Sequence, residues 1–158
     1  MKKTFSLLLL LLVMIFNSFS AGAKNSENEL SYDIKCAGTP QQGYYLVEVT
    51  AYVTKKMDIN MDVIRKSAVH GVIFSGFSGE QGCKAQRPML NATQELQHSD
   101  FFEAFFERDC LRFVNAVDKT FSTTKVGKKY ALTATVQVAK EELRKTLENA
   151  GIIRKLGF

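Results

Sequence analysis

The chain has few of the residues on which common catalytic and metal sites depend. It contains only two histidines, His70 and His98, and they do not stand in an H-x-x-x-H or H-E-x-x-H arrangement. A catalytic zinc site usually takes three protein ligands, often from such helical spacing. The sequence therefore predicts no metal site, and no motif in it calls for a cofactor.

Cysteine is also scarce, and its number is odd. Cys36, Cys83 and Cys110 include no C-x-x-C pair, so one internal disulfide can form and one thiol is left over. Cys110 falls on the apolar face of a predicted helix, where we expect a buried free thiol. Cys36 and Cys83 lie in glycine-flanked loops and are the preferred disulfide pair. The alternative is a reactive Cys36 or Cys83, the latter with His70 or His98 as its base.

The charge balance gives no sign of a nucleic-acid partner. The chain has 21 basic and 16 acidic residues, a formal net charge of +5. Two of the lysines belong to the first few residues, which leaves +3 for the remainder because 5 − 2 = 3. Acidic residues are interspersed throughout, so the sequence predicts no basic patch of the kind that binds phosphate backbones.

The N-terminal segment has the organisation of a secretory signal peptide. Two lysines precede an apolar run over residues 5–16, and Ala21-Gly22-Ala23 then offers small residues before Lys24. A membrane-spanning helix needs about 20 apolar residues, so an uncleaved anchor is the less favoured alternative. We expect residues 1–23 to be removed, leaving a periplasmic or secreted protein without a membrane span.

The remaining chain has the length of one domain with one core. We expect residues 24–43 to be a flexible lead-in and loop, and residues 44–158 to form a single α/β domain. Strict apolar alternation predicts strands over Tyr44–Val53 and Tyr130–Val138. The short apolar run Val72-Ile73-Phe74, bounded by glycines, predicts a third, buried strand.

Three segments have helical spacing of apolar residues. One begins near residue 61 with Asp58 or Asn60 as its cap. A phenylalanine-rich helix over residues 99–117 starts with a capping box from Asp100 to Glu103, and the last helix spans 140–150. The order of elements predicts an α+β fold: a two-layer sandwich of a three- or four-stranded sheet with helices packed on one face.

The longest irregular stretch covers residues 75–91 and is rich in glycine. Gly76, Gly79 and Gly82 are evenly spaced, but the chain then runs on to Pro88 instead of opening a helix, as a phosphate-binding loop would. We therefore interpret the stretch as a turn-rich loop, a place where binding residues are often found.

Several packing patterns resemble those of a known group of proteins. The strand 44–49, the segment 67–74 and the ending from Leu143 to Ile153 are similar to uncharacterised small exported α/β proteins of Gram-negative envelopes. More loosely, they resemble small α/β modules of envelope-assembly accessory proteins. The resemblance implies an exported α/β domain and assigns no functional residue.

The favoured hypothesis is a non-enzymatic envelope protein that acts through protein–protein interaction, such as an assembly or accessory factor. Its partner would be another envelope protein, bound at an exposed sheet edge, the 75–91 loop or the apolar tail. The alternatives are a small cysteine-dependent enzyme or redox protein, and a small-ligand carrier. A carrier pocket would be lined by the following phenylalanines, which would equally fill a dry core: Phe102, Phe105, Phe106 and Phe113.

Overall fold

The computed structural model describes residues 30–79 and 82–155, which form a single mixed α+β domain, as predicted. The strands, in chain order, are β1 (Ser31–Cys36), β2 (Tyr44–Val53), β3 (Val114–Ala116), β4 (Ser122–Val126) and β5 (Lys129–Ala139). The α-helices are α1 (Met61–His70), α2 (Ala92–Gln97), α3 (Ser99–Arg108) and α4 (Lys140–Asn149). Two 3-10 turns, Lys56–Asp58 and Cys110–Phe113, and a π-helical turn, Gly71–Ser75, complete the elements.

The strands form one antiparallel sheet with β2 and β5 at its centre. β1 pairs with the free edge of β2, and both β3 and β4 pair with the far edge of β5. In the central pair, Val47 lies opposite Val136 and Val49 opposite Ala134. The sheet has five strands instead of the predicted three or four, and β3 and β4 were not predicted because they carry little apolar alternation. β4, for example, is exposed at every position.

The core lies between the sheet and the helices. Alternate residues of β2 and β5 are buried, and α1 lies against β1, β2, β3 and β5. The Asn60 side chain accepts a hydrogen bond from the Val63 N–H at 3.1 Å, which is the predicted N-cap. From α4, Leu143 and Leu147 are fully buried in the same cluster. Each buried leucine of this kind contributes roughly 1.5–3 kcal/mol of hydrophobic stabilisation.

The opposite face of the sheet carries polar cross-strand contacts. The Lys35 ammonium lies 3.1 Å from the Glu48 carboxylate, and the Thr50 and Thr133 hydroxyls are 2.9 Å apart. These side chains alternate with the buried ones along each strand, so one face is apolar and the other is compatible with water. The domain therefore has two layers.

The predicted strand over Val72–Phe74 is wrong. These residues continue α1 as the π-helical turn, which ends at Gly76, a residue with a φ of +66°. Val72 and Ile73 are fully buried, so the run has no polar side that would reveal its period. Gly71 allows the close approach of this turn to β1, because a Cβ there would lie 2.8 Å from Cδ1 of Ile34.

The phenylalanine-rich helix is shorter than predicted. α3 ends at Arg108, and the chain passes through the 3-10 turn into β3 instead of remaining helical to residue 117. The predicted capping box at Asp100 is also absent, since His98 stands at the N-cap without a side-chain hydrogen bond. A capping box does form one helix earlier, between Asn91 and Gln94 at the start of α2.

The domain begins earlier than the predicted boundary at Tyr44. β1 lies within residues 24–43, which were predicted to be a flexible lead-in and loop, and it pairs with β2 along its whole length. Tyr32, Ile34 and Cys36 alternate with polar residues along β1, so this short segment carries a strand pattern that the prediction of a lead-in overlooked. The predicted signal peptide, the first residues of the lead-in and the end of the apolar tail lie outside the described residues.

Candidate functional site

A groove runs along the outer edge of β1. It has a volume of about 1380 Å³ and is open to solvent on one side. β1 forms one side, residues 75–78 and 86–88 form one end, and α2 and α3 form the far wall. Its apolar lining includes Ile34, Phe77, Leu96, Phe102 and Phe106. The lining thus comes from four separate parts of the chain, which only the tertiary fold brings together.

The β1 backbone turns hydrogen-bonding groups towards this groove. The Ala37 N–H donates inward to the Leu46 carbonyl of β2, and the Cys36 N–H donates in the opposite direction to the Ser78 carbonyl, both at 3.0 Å. These directions alternate along an antiparallel edge strand, so the N–H groups of Tyr32 and Ile34 point outward like that of Cys36. Among the described residues, only the isolated Lys35–Ser78 bridge pairs with this edge.

A chain of hydrogen-bonding side chains crosses the centre of the groove. The Tyr32 hydroxyl lies 2.8 Å from the Ser75 hydroxyl and 2.7 Å from Nδ1 of His70. On the other side of the ring, Nε2 of His70 lies 3.6 Å from a Glu95 carboxylate oxygen. β1, α1, the π-helical turn and α2 each contribute one of these four residues.

The environment keeps this chain uncharged at its centre. Burial lowers the pKa of His70 from its usual value, although the nearby Glu95 carboxylate acts in the opposite direction. Burial also raises the pKa of Tyr32, so its hydroxyl keeps its proton. With His70 neutral, a proton on Nε2 faces Glu95 while Nδ1 accepts from Tyr32, a tautomer assigned from these neighbours.

Aromatic rings pack around His70 and limit what can reach it. The His70 ring centroid is 4.9 Å from that of Phe74, 5.5 Å from that of Phe106 and 5.6 Å from that of Tyr32. Both ring nitrogens already face protein groups, so a substrate proton has no vacant nitrogen to meet. The arrangement suits a rigid wall with polar contact points better than a general base.

The two cysteines predicted to pair are joined by a disulfide in the structure. Cys36 ends β1, Cys83 lies in the 75–91 loop, and their Cα atoms are 6.0 Å apart. The bond ties the loop at the end of the groove to the edge strand. Cys110 is free and buried, and burial raises the pKa of its thiol. In this oxidised state neither Cys36 nor Cys83 offers the thiolate that a cysteine-dependent enzyme needs.

The structure places the surfaces and the pocket predicted from the sequence differently. Residues 75–78 and 86–88 of the predicted loop and an open sheet edge line the groove. In the tail, Ile152 is buried and Ile153 packs against the core. The predicted carrier pocket does not form as one site: Phe102, Phe105 and Phe113 are buried in the core, and of these only Phe102 also lines the groove, beside Phe106.

Sequence reasoning missed Tyr32, Ser75 and Glu95 as site residues. Each is a common residue without a local motif. Tyr32 contacts His70 and Ser75, and Glu95 contacts His70, so every contact joins positions far apart in sequence. The apolar alternation of residues 31–36 could have placed Tyr32 on a strand, but no spacing rule could have placed it beside His70.

Three further findings bear on function. Within residues 30–79 and 82–155, no group of three His, Cys, Asp or Glu side chains is arranged to hold a metal ion. No helix in the same ranges combines the length and apolar character needed to cross a membrane. Comparisons of this chain with protein-family models, curated proteins and solved structures find no match.

Proposed function

We propose that this protein is a non-enzymatic binding module that accepts an extended segment of another polypeptide along the outer edge of β1. An edge strand with outward N–H and C=O groups is a template for strand addition, which supplies affinity through main-chain hydrogen bonds. The observation that carries the proposal is the coincidence of this edge with a groove of about 1380 Å³. The walls of the groove would hold the side chains of the added segment.

The composition of the groove defines the partner segment. Its apolar wall, with the 77% exposed Leu96 at the rim, suits a segment with alternate apolar residues. Its charged lining includes Glu95 and Glu103 in the helices, opposed by Arg87 in the loop. Asp33 also lines the groove, but its carboxylate accepts a hydrogen bond from the Tyr52 hydroxyl on the sheet. The remaining negative charge favours basic residues at the other positions of the segment.

We also propose that the protein works outside the cytoplasm, in the periplasm or as a secreted protein. The disulfide supports this location, since such bonds persist mainly in oxidising compartments. The envelope resemblance points in the same direction and remains a prediction. Intact mass of the protein purified from culture fractions would test the location. Cleavage before Lys24 supports it, and a full-length chain in the cytoplasmic fraction contradicts it.

Binding can be tested with a blocked synthetic heptapeptide of alternating valine and lysine, titrated by fluorescence anisotropy. Replacing Ile34 by proline removes an outward N–H without removing a hydrogen bond to β2, and edge strands tolerate proline at such positions. The matched control is Ile34→Ala, which removes the side chain and keeps the N–H. We expect the Ile34→Pro variant to bind at least about tenfold more weakly than the Ile34→Ala variant, equal to about 1.4 kcal/mol.

Two peptide controls separate main-chain from charge recognition. A peptide N-methylated at every residue has no N–H to donate to the edge and should not bind. A valine–glutamate peptide should bind more weakly than the valine–lysine peptide because it carries the same sign of charge as the groove. Equal binding of the proline and alanine variants, or undiminished binding of the N-methylated peptide, would show that the edge of β1 is not the site.

A further inference from the structure

The far side of the same sheet ends in a hairpin that stands clear of the helical layer. Within the part of the chain that the structure describes, β4 pairs only with β5, and all five of its residues are exposed. The two strands are joined by a two-residue turn at Gly127 and Lys128, where Gly127 has a φ of +61°. At the end of β4, Val126 is 53% exposed. A strand without a helix on either face can enter a groove that a covered strand cannot.

The hairpin and the groove carry opposite charges. Residues 119–130 contain four lysines and no acidic residue. The helical wall of the groove presents Glu95 and Glu103. His70, the titratable neighbour of Glu95, is neutral and does not compensate its charge. Two β4 edges would repel each other through their lysines, and two acidic grooves would do the same, so only the mixed pairing brings unlike charges together.

The strand directions are also compatible. Neighbouring strands in the order β1, β2, β5, β4 are antiparallel, so β1 and β4 run in opposite directions. A second copy placed beside the first, with its helices on the same side, would set its β4 antiparallel to β1. The sheet would then continue from copy to copy with its preferred pairing.

We propose that the segment accepted by the β1 groove is the β4–β5 hairpin of a second copy of this chain. The proposal rests on the proposed function and names its partner. The contact is heterologous, because each copy uses a different surface, so successive contacts extend into open head-to-tail chains instead of a closed dimer. Lysines of the incoming hairpin face Glu95 and Glu103, and its β4 backbone bonds to the outward groups of β1.

The test uses two variants that each block one edge. Ile34→Pro blocks the accepting edge. In β4, the two-residue turn makes Val126 and Lys129 a hydrogen-bonded pair, so the Thr123 N–H points away from β5 and Thr123→Pro blocks the donating edge. Ile34→Ala and Thr123→Ala are the matched controls. Sedimentation velocity is measured at low salt from micromolar to millimolar protein.

The unmodified protein and both alanine controls should assemble with increasing concentration, and high salt should reverse the assembly. Each proline variant alone should stay monomeric. An equimolar mixture of the two should form one-to-one dimers and nothing larger, because only one productive contact remains. A mixture that stays monomeric while the unmodified protein assembles would overturn this interface.

Charge reversal supplies an independent test if either proline variant fails to fold, as judged by circular dichroism. Lys125→Glu alone and Glu103→Lys alone should each weaken assembly at least about tenfold. Mixing them pairs the introduced glutamate with the introduced lysine in one contact and the native Lys125 with the native Glu103 in the next, so the mixture should assemble again into alternating chains. If the unmodified protein stays monomeric at every concentration but its groove binds the valine–lysine peptide, the second-copy proposal fails and the proposed function stands. If it neither assembles nor binds the peptide, both fail.

Discussion

Removing the disulfide between Cys36 and Cys83 should destabilise the domain by about 4 kcal/mol. The two cysteines are 47 residues apart in sequence, and the entropy of closing a loop of that length in the unfolded chain corresponds to about 4 kcal/mol at 25 °C. For a domain of this size, the melting temperature should fall by roughly 10–15 °C. The effect arises mainly in the unfolded state, because the disulfide limits the conformations available there.

The assay is urea unfolding of the double variant Cys36→Ala/Cys83→Ala beside the unmodified protein, without reductant. The dependence of the unfolding free energy on urea should also steepen, since an unfolded chain without the crosslink exposes more surface. Cys110→Ala is the control, because it removes a buried thiol and keeps the disulfide. A loss below about 1 kcal/mol in the double variant would refute the loop-closure argument.

Three further predictions concern residues beside the groove and in the core. Gly71→Ala should lower the free energy of unfolding by roughly 1–3 kcal/mol, because the added methyl group overpacks against Ile34. Adding Ile34→Ala to the same chain should recover part of this stability. An unchanged stability of Gly71→Ala would show that β1 can move away without cost. Burial lowers the pKa of His70, so the unfolded state binds its proton more readily, and stability should fall as the pH drops below about 6.5. His70→Gln should flatten that dependence in pH-resolved urea unfolding, and an unchanged slope would contradict the assignment. Leu147→Ala should lower the free energy of unfolding by about 2–5 kcal/mol, whereas Leu96→Ala, at an exposed position, should lower it by less than about 0.5 kcal/mol. Equal losses of stability in thermal unfolding would contradict the burial of Leu147.

The central elements of the fold were predictable because their residues carry one strong local pattern. β2 coincides with the predicted strand over Tyr44–Val53, and β5 extends the predicted 130–138 strand by one residue at each end. In both, one face is buried and the other is polar, which imposes the two-residue period on the sequence. The helices α1 and α4 were found for the same reason, with an apolar stripe and terminal signals at Asn60 and Gly151.

Two elements that sequence reasoning missed lack such a contrast between faces. The first three residues of the π-helical turn are all buried, whereas all five residues of β4 are exposed, so neither has a readable period. In residues 109–117, the apolar pattern persists after α3 ends, but tertiary contacts convert it into a 3-10 turn and β3. The spacing of apolar residues favoured a helix there, but residues 114–116 instead pair with β5 as β3.

The candidate site was predictable only in part, because it depends on pairings that sequence does not encode locally. The 75–91 loop and the pair Cys36 and Cys83 were singled out from their composition and setting. The edge strand β1 and the contacts of His70 with Tyr32 and Glu95 depend on how distant segments pack. A groove is a property of that packing and has no sequence signature of its own.

Backbone amide exchange, measured by NMR residue by residue with and without the valine–lysine peptide, tests the binding of an extended segment by β1 most directly. The outward amides of Tyr32 and Ile34 should exchange at least about tenfold more slowly when the peptide is bound, because they become hydrogen-bonded. The inward amide of Ala37, already bonded to Leu46, should change little. Peptide binding that leaves the exchange of Tyr32 and Ile34 unchanged would contradict the account.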